Sequence, residues 1–273
     1  MKKRNYNFFI VLVLFLFVNT GFNQTADEFF ASGWDNYLNK KYDSALYNFS
    51  KSIELKPDNA LVFNNRGLVY YEMIKYDSAM SDFNKAIELK PDLEGPYNNR
   101  GLIYTNQKKY DKAIKEFDKA IEIKKDFDKA YNNRANAYFY LQQYDKAIND
   151  YDKAIEIKQD LIEPYNNRGL SYYKLKNYGK SVIDFTKVIE LNPEFVPAYF
   201  NRANAYYFLL QDDKAIADFD KVIELKPDYG EAYYNRGYIF NLNGNLKKAC
   251  SDWNTAKKLG YKDAQEMIDK YCK

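Results

Sequence analysis

The chain has 273 residues, enough for one or two domains, and 46% of them are apolar, enough to build a core. It has no His and only two Cys, which excludes a His-based metal site or catalytic triad, and its 28 Tyr with only 11 Gly and 7 Pro point to a helix-rich fold with few loops. The net charge of +3 arises at Lys2, Lys3 and Arg4, so the rest of the chain is neutral and offers no excess of positive charge to draw nucleic acid.

Those three basic residues precede an apolar run from Phe8 to Val18, and a polar stretch from Asn19 to Gln24 leads into a helical pattern at Thr25. This is the layout of an export signal over residues 1–24. The apolar run would rise about 17 Å as a helix against a hydrocarbon core of about 30 Å, too short for a permanent span. The expectation is an exported protein, periplasmic or extracellular, with an uncleaved N-terminal membrane anchor as the alternative.

From residue 25 to 273 the chain repeats. Arg66, Arg100, Arg134, Arg168, Arg202 and Arg236 are spaced by 34 residues without an insertion. Seven copies begin at residues 26, 60, 94, 128, 162, 196 and 230. The second copy shows the pattern best, with Phe63, Gly67, Tyr70, Tyr76, Ala79, Phe83, Ala86 and Pro91 at fixed offsets. The small position after the Arg is Gly or Ala in every copy, and the position of Ala79 is never bulky. Small residues there are expected to let two antiparallel helices approach, small facing small, with aromatics filling the space above and below. Pro57, Pro91, Pro193 and Pro227 fall between copies, and Pro96, Pro164 and Pro197 fall in first helical turns, where a missing N–H costs little.

This pattern resembles the tetratricopeptide repeat (TPR). The resemblance implies an all-α fold, a right-handed solenoid of seven TPR helix-turn-helix repeats in which neighbours stack to bury their apolar faces. A last amphipathic helix over residues 263–272, carrying Ala264, Met267, Ile268 and Tyr271, is expected to cap the C-terminal end. Cys250, expected in the first turn of the last repeat's second helix, and Cys272 would lie together across a hairpin turning near residue 261. A disulfide pinning the cap is one reading. Two buried thiols are the other.

In solenoids of this family the first helix of each pair lines the concave surface where peptides and partner domains bind. The sixth position of six copies is Asn: Asn65, Asn99, Asn133, Asn167, Asn201 and Asn235. The row is similar to the asparagine ladder of O-linked N-acetylglucosamine transferases, whose amides grip an extended polypeptide backbone. An amide side chain offers both donors and an acceptor, which suits a peptide group; the same residues could instead satisfy neighbouring backbone groups or water. Aromatics expected on that side include Tyr71, Phe139, Tyr140, Tyr173, Tyr207 and Phe208, with Asn106, Asn136, Asn204 and Lys174 among them. The Arg row has a simpler explanation. Asp82, Glu116, Asp150, Asp184, Asp218 and Asp252 recur in the same six copies, while the first copy lacks both Arg and acid, so structural bridges across each helical hairpin are expected.

The pattern therefore predicts an exported interaction scaffold that binds an extended peptide or partner domain in the groove. A self-associating assembly component without a client peptide is the alternative. No enzyme activity, cofactor or metal is expected, since repeats and cap take up residues 26–273 and no Gly-rich phosphate loop or nucleophile with its base is present.

Overall fold

The computed structural model describes residues 24–273, so the expected signal segment lies, but for Gln24, outside the described residues. These residues fall into two compact units, 24–58 and 59–273. All regular elements among them are helices, and none is long and apolar enough to cross a membrane.

The first unit is a single helical hairpin, α1 (Ala26–Leu38) and α2 (Tyr42–Leu55). Thr25 and Glu28 close α1 with a reciprocal capping box, Thr25 accepting from the Glu28 N–H and Glu28 accepting from the Thr25 N–H. The ring of Phe49 lies against Gly33, where a Cβ would come within 2.7 Å of it. Ser52, where other copies carry Ala or Val, donates its hydroxyl to the Ala26 carbonyl at 2.7 Å and so stays satisfied while buried.

The second unit contains six further hairpins and a final helix. In chain order these are α3 (Ala60–Glu72), α4 (Tyr76–Leu89), α5 (Glu94–Asn106), α6 (Tyr110–Ile123), α7 (Asp128–Tyr140), α8 (Tyr144–Ile157), α9 (Ile162–Lys174), α10 (Tyr178–Leu191), α11 (Val196–Phe208), α12 (Asp212–Leu225), α13 (Gly230–Leu242), α14 (Leu246–Lys258) and α15 (Ala264–Tyr271). Helices pack on their sequence neighbours, as in the expected solenoid. The first helices of successive repeats also touch, α3 on α5, α5 on α7, α7 on α9 and α9 on α11. Their exposed positions therefore form one face.

The reason for the small residue differs from the sequence expectation. Its glycine faces not another small side chain but a buried aromatic ring sixteen residues on: Phe83 beneath Gly67, Phe117 beneath Gly101, Phe185 beneath Gly169 and Trp253 beneath Gly237. A Cβ at Gly101 would lie 2.5 Å from Phe117 Cε1, closer than atoms can approach. The helices of a hairpin are thus held at ring thickness, and the aromatic supplies the buried area.

Each first helix ends on a residue in the left-handed region: Ile74, Lys108, Gln142, Lys176 and Leu210 in this unit, and Gly244 in the last repeat. The two N–H groups after the turn bond back to the last helical carbonyls, as Lys108 does to Thr105 and Lys109 to Tyr104, both at 2.8 Å.

At the C-terminal end α15 covers Trp253 and Ala249 with Met267, and Tyr271 packs 5.7 Å from the Trp253 ring. Cys250 and Cys272 are joined by a disulfide, with Cα atoms 5.6 Å apart. Cys250 sits in the second turn of α14 and not the first, because that helix already begins at Leu246.

Candidate functional site

The arginines belong to the framework. Each grips the acid sixteen residues on with a two-pronged contact: Arg66 to Asp82, Arg134 to Asp150, Arg168 to Asp184, Arg202 to Asp218 and Arg236 to Asp252, through Nε and Nη2 at 2.6–2.9 Å. Arg100 gives both donors to one oxygen of the longer Glu116. Planar guanidinium against planar carboxylate is the geometry such pairs favour. The aromatic three residues before each Arg, such as Tyr131 before Arg134, covers the guanidinium at 5.4–5.7 Å.

The remaining Nη1 reaches the preceding repeat. Arg134 meets Asp118, Arg168 meets Asp152 and Arg236 meets Asp220, while Arg100 meets Asn84 and Arg202 meets Thr186. This second leg was not foreseen, although an acid stands sixteen residues before three of the six arginines and a neutral polar residue before the other three. It ties repeat to repeat as well as helix to helix. Hydrogen bonds and charge from both carboxylates outweigh burial and raise the pKa of Arg134, Arg168 and Arg236. Burial, against the pull of their arginines, raises the carboxyls of Asp150 and Asp184 above the usual range.

The asparagines form a network among themselves. Asn133 donates to Asn98, Asn98 to Asn99, Asn99 to Asn64 and Asn64 to Asn65, a directed chain from α7 back to α3 with steps of 2.9–3.3 Å. The fifth-position residues Asn64 and Asn98 act as the acceptors between repeats. Further along, the pattern shifts. Asn167 donates to Asn136 at 3.0 Å and Asn235 to Asn204 at 3.2 Å, both acceptors at the ninth position of the preceding first helix. The shift leaves Asn132 Oδ1 and Asn166 Oδ1 buried without a partner. Asn201 makes no side-chain hydrogen bond among the described residues.

The aromatics pair across repeats along the same face. Tyr140 stacks on Tyr110 at 5.3 Å, and Phe208 on Tyr178 at 4.7 Å, in each case residue thirteen of one repeat over residue seventeen of the one before. Asn106 takes the same place and donates to the hydroxyls of Tyr71 and Tyr76. Phe139 meets Tyr140 and Tyr144 edge-on, and Tyr173 meets Phe208 likewise. Tyr140 and Phe208 remain 59% and 49% exposed, so these stacks are surface and not core.

One cleft opens on this face, across α9, α11 and α13, with a volume of about 220 Å³. Tyr173, Tyr207, Phe208 and Tyr238 wall it, buried Phe219 and Ile239 floor it, and Asn204 and Asn235 supply its amides. No charged side chain lines it. Burial pushes the Tyr173 and Tyr207 hydroxyls up. Tyr238 and Phe219 were not picked out from the sequence. Phe219 lies at a core position and Tyr238 at the ninth position, which is Leu or Asn in the other repeats of this unit, and only stacking shows that the two line one cleft.

Family models described as TPR repeat match residues 36–73, 101–141 and 135–176, and models described as tetratricopeptide repeat match 60–93, 162–195, 196–229 and 219–251. The chain belongs to the tetratricopeptide-repeat family. Among solved structures, the C-terminal part of a TPR protein from Cytophaga hutchinsonii is similar at 22% identity and TM-score 0.70, over 87% of this chain and 98% of that one. A TPR protein from Parabacteroides merdae is similar at 21% and 0.60, over 91% and 99%. YrrB, described as a TPR protein with an unusual peptide-binding site, is similar at 23% and 0.62, over 68% and 97%. At these identities the likeness is one of fold. No curated protein matches the sequence. TPR folds support protein–protein interaction and typically do so without catalysis.

Proposed function

We propose that this TPR chain is an exported scaffold that holds an extended segment of a partner protein along the face made by its first helices. The observation that carries this reading is the segregation of side chains. The arginines and their acids are bonded within the framework, whereas exposed aromatics and amides collect on the single face running from α5 to α13. Tyr, Phe and amides on one surface suit a protein partner, since they bury area at little conformational cost and still offer hydrogen bonds. The peptide-binding site named for YrrB supports the same reading. Export is supported by the basic-then-apolar start of the sequence and by the Cys250–Cys272 disulfide, which suits an oxidising compartment.

The test is a pull-down from extracytoplasmic extract with the wild-type chain and with a Tyr140→Ser, Phe208→Ser variant, folding being checked by circular dichroism. Both side chains are about half exposed, so the variant is expected to fold. A partner held by the wild type and released by the variant supports the face as the site. Equal recovery of the same partner would place binding elsewhere.

A further inference from the structure

We infer that the cleft across α9, α11 and α13 is a subsite for one large uncharged apolar residue of an extended peptide, with Asn204 and Asn235 binding the backbone C=O and N–H of that residue. The inference rests on the scaffold reading above and narrows it to a residue-level ligand.

Hydrogen-bond capacity is the first argument. Asn235 Nδ2 donates to Asn204 Oδ1, and no other side-chain hydrogen bond involves either amide among the described residues. Asn204 Nδ2 is left as a donor and Asn235 Oδ1 as an acceptor, side by side in the cleft. An extended residue presents its own N–H and C=O on the same side of the chain, and it needs that pair, its carbonyl accepting from Asn204 and its N–H donating to Asn235. Interchanging the O and N of both amides leaves one donor and one acceptor still, so the argument does not depend on amide orientation.

The same repeat position elsewhere shows what saturation looks like. Asn136 Oδ1 accepts from both Tyr151 and Asn167, at 2.6 and 3.0 Å, and its Nδ2 donates to Glu163 at 3.1 Å. At Asn204 the place of Tyr151 is taken by Phe219, which has no hydroxyl, and the place of Glu163 by Glu231, which accepts no bond from Asn204 among the described residues.

Size and charge set the side chain. At about 220 Å³ the cleft lies below the roughly 300–1,000 Å³ of small-molecule sites and holds one side chain, not a whole cofactor. Its walls are aromatic and uncharged, so a buried carboxylate or ammonium would find no counter-charge. A Leu, Ile, Met, Phe or Tyr side chain fits both limits.

The experiment selects twelve-residue peptides from a random display library on the full chain and measures the survivors by fluorescence anisotropy. They are expected to share one large apolar residue without an acidic neighbour. They should also bind at least 10-fold more weakly to an Asn204→Leu, Asn235→Leu variant. A peptide methylated on the backbone nitrogen at the shared residue should lose as much against the unchanged protein, which guards against a folding defect in the variant. Peptides that bind wild type and variant equally and tolerate N-methylation would overturn the subsite and leave the scaffold reading standing. If no peptide survives selection, both fall.

Discussion

Asn136 and Asn204 occupy the same place in the fourth and sixth repeats, each between two alanines on a first helix, and each accepts a hydrogen bond from the next repeat's sixth-position Asn. Around Asn136 a tyrosine hydroxyl and a glutamate use the rest of the amide, and the position is framework. Around Asn204 a phenylalanine replaces the tyrosine, half the amide is unused, and a cleft opens. A missing ring hydroxyl and an unmade amide–glutamate bond thus separate a structural repeat from a candidate binding repeat. In a repeat protein, function can arise by withholding a bond that the other copies make.

The largest expected effect concerns the arginines flanking the two places. Arg134→Ala would strand Asp150 and weaken the hold on Asp118, at a cost of about 3–5 kcal/mol, because the half of the pair that remains is a nearly buried charge. Arg202→Ala strands Asp218 alone, since Thr186 is neutral, and should cost less. Urea titration of both variants checks the order, and equal losses would show that the second leg adds nothing.

Next in size is Phe219→Tyr. Ala203 lies over Phe219 as Ala135 lies over Tyr151, so the added hydroxyl should donate to Asn204 Oδ1 and, by filling part of the cleft that Phe219 floors, reduce peptide affinity about 10-fold, or about 1.4 kcal/mol. Anisotropy with the selected peptides reads this directly. The reverse exchange, Tyr151→Phe, removes a donor from Asn136 and should cost about 1 kcal/mol of stability, visible as a lower urea midpoint. If Tyr151→Phe also creates a second peptide site in the fourth repeat, the comparison is sharpened further.

The smallest effect is a dependence on pH. Burial raises the native pKa of Asp150 above its ordinary value of 3.8. A raised carboxyl binds its proton more tightly when folded, so its favourable contribution is complete below about pH 3.8 and is lost as the pH climbs through the native value. Asp150→Asn should remove that component from a stability–pH curve measured between pH 3 and 7.

The fold was legible because a 34-residue period fixes phase: Gly67, Tyr70, Ala79 and Phe83 identify two helices and their contact face without reference to any neighbour. The Arg–acid pairs were legible for a similar reason, the joint absence of both partners from the first copy. What the sequence did not reveal depends on contacts between repeats. Asn64 and Asn99 are thirty-five residues apart, and nothing in either says that one will donate to the other. The ninth-position alternation of Leu68, Leu102, Asn136, Leu170, Asn204 and Tyr238 was visible, but its consequence depends on whether Tyr151 or Phe219 lies beneath. The packing partner of the glycines was misread for a different cause, within a single repeat: a ring and a small residue sixteen apart look unrelated until the hairpin closes.

The disulfide gives the array a direction. A linear stack held by nearest neighbours comes apart from its ends inward. Cys250 and Cys272 close a covalent loop across a separation of 22 residues, and the loop contains Trp253 and the whole of α15. An unfolding machine drawing the chain from the C-terminal side must pass two strands at once through any pore sized for one. Turnover by such machines is therefore steered toward entry from the other side, or must wait for a reductant.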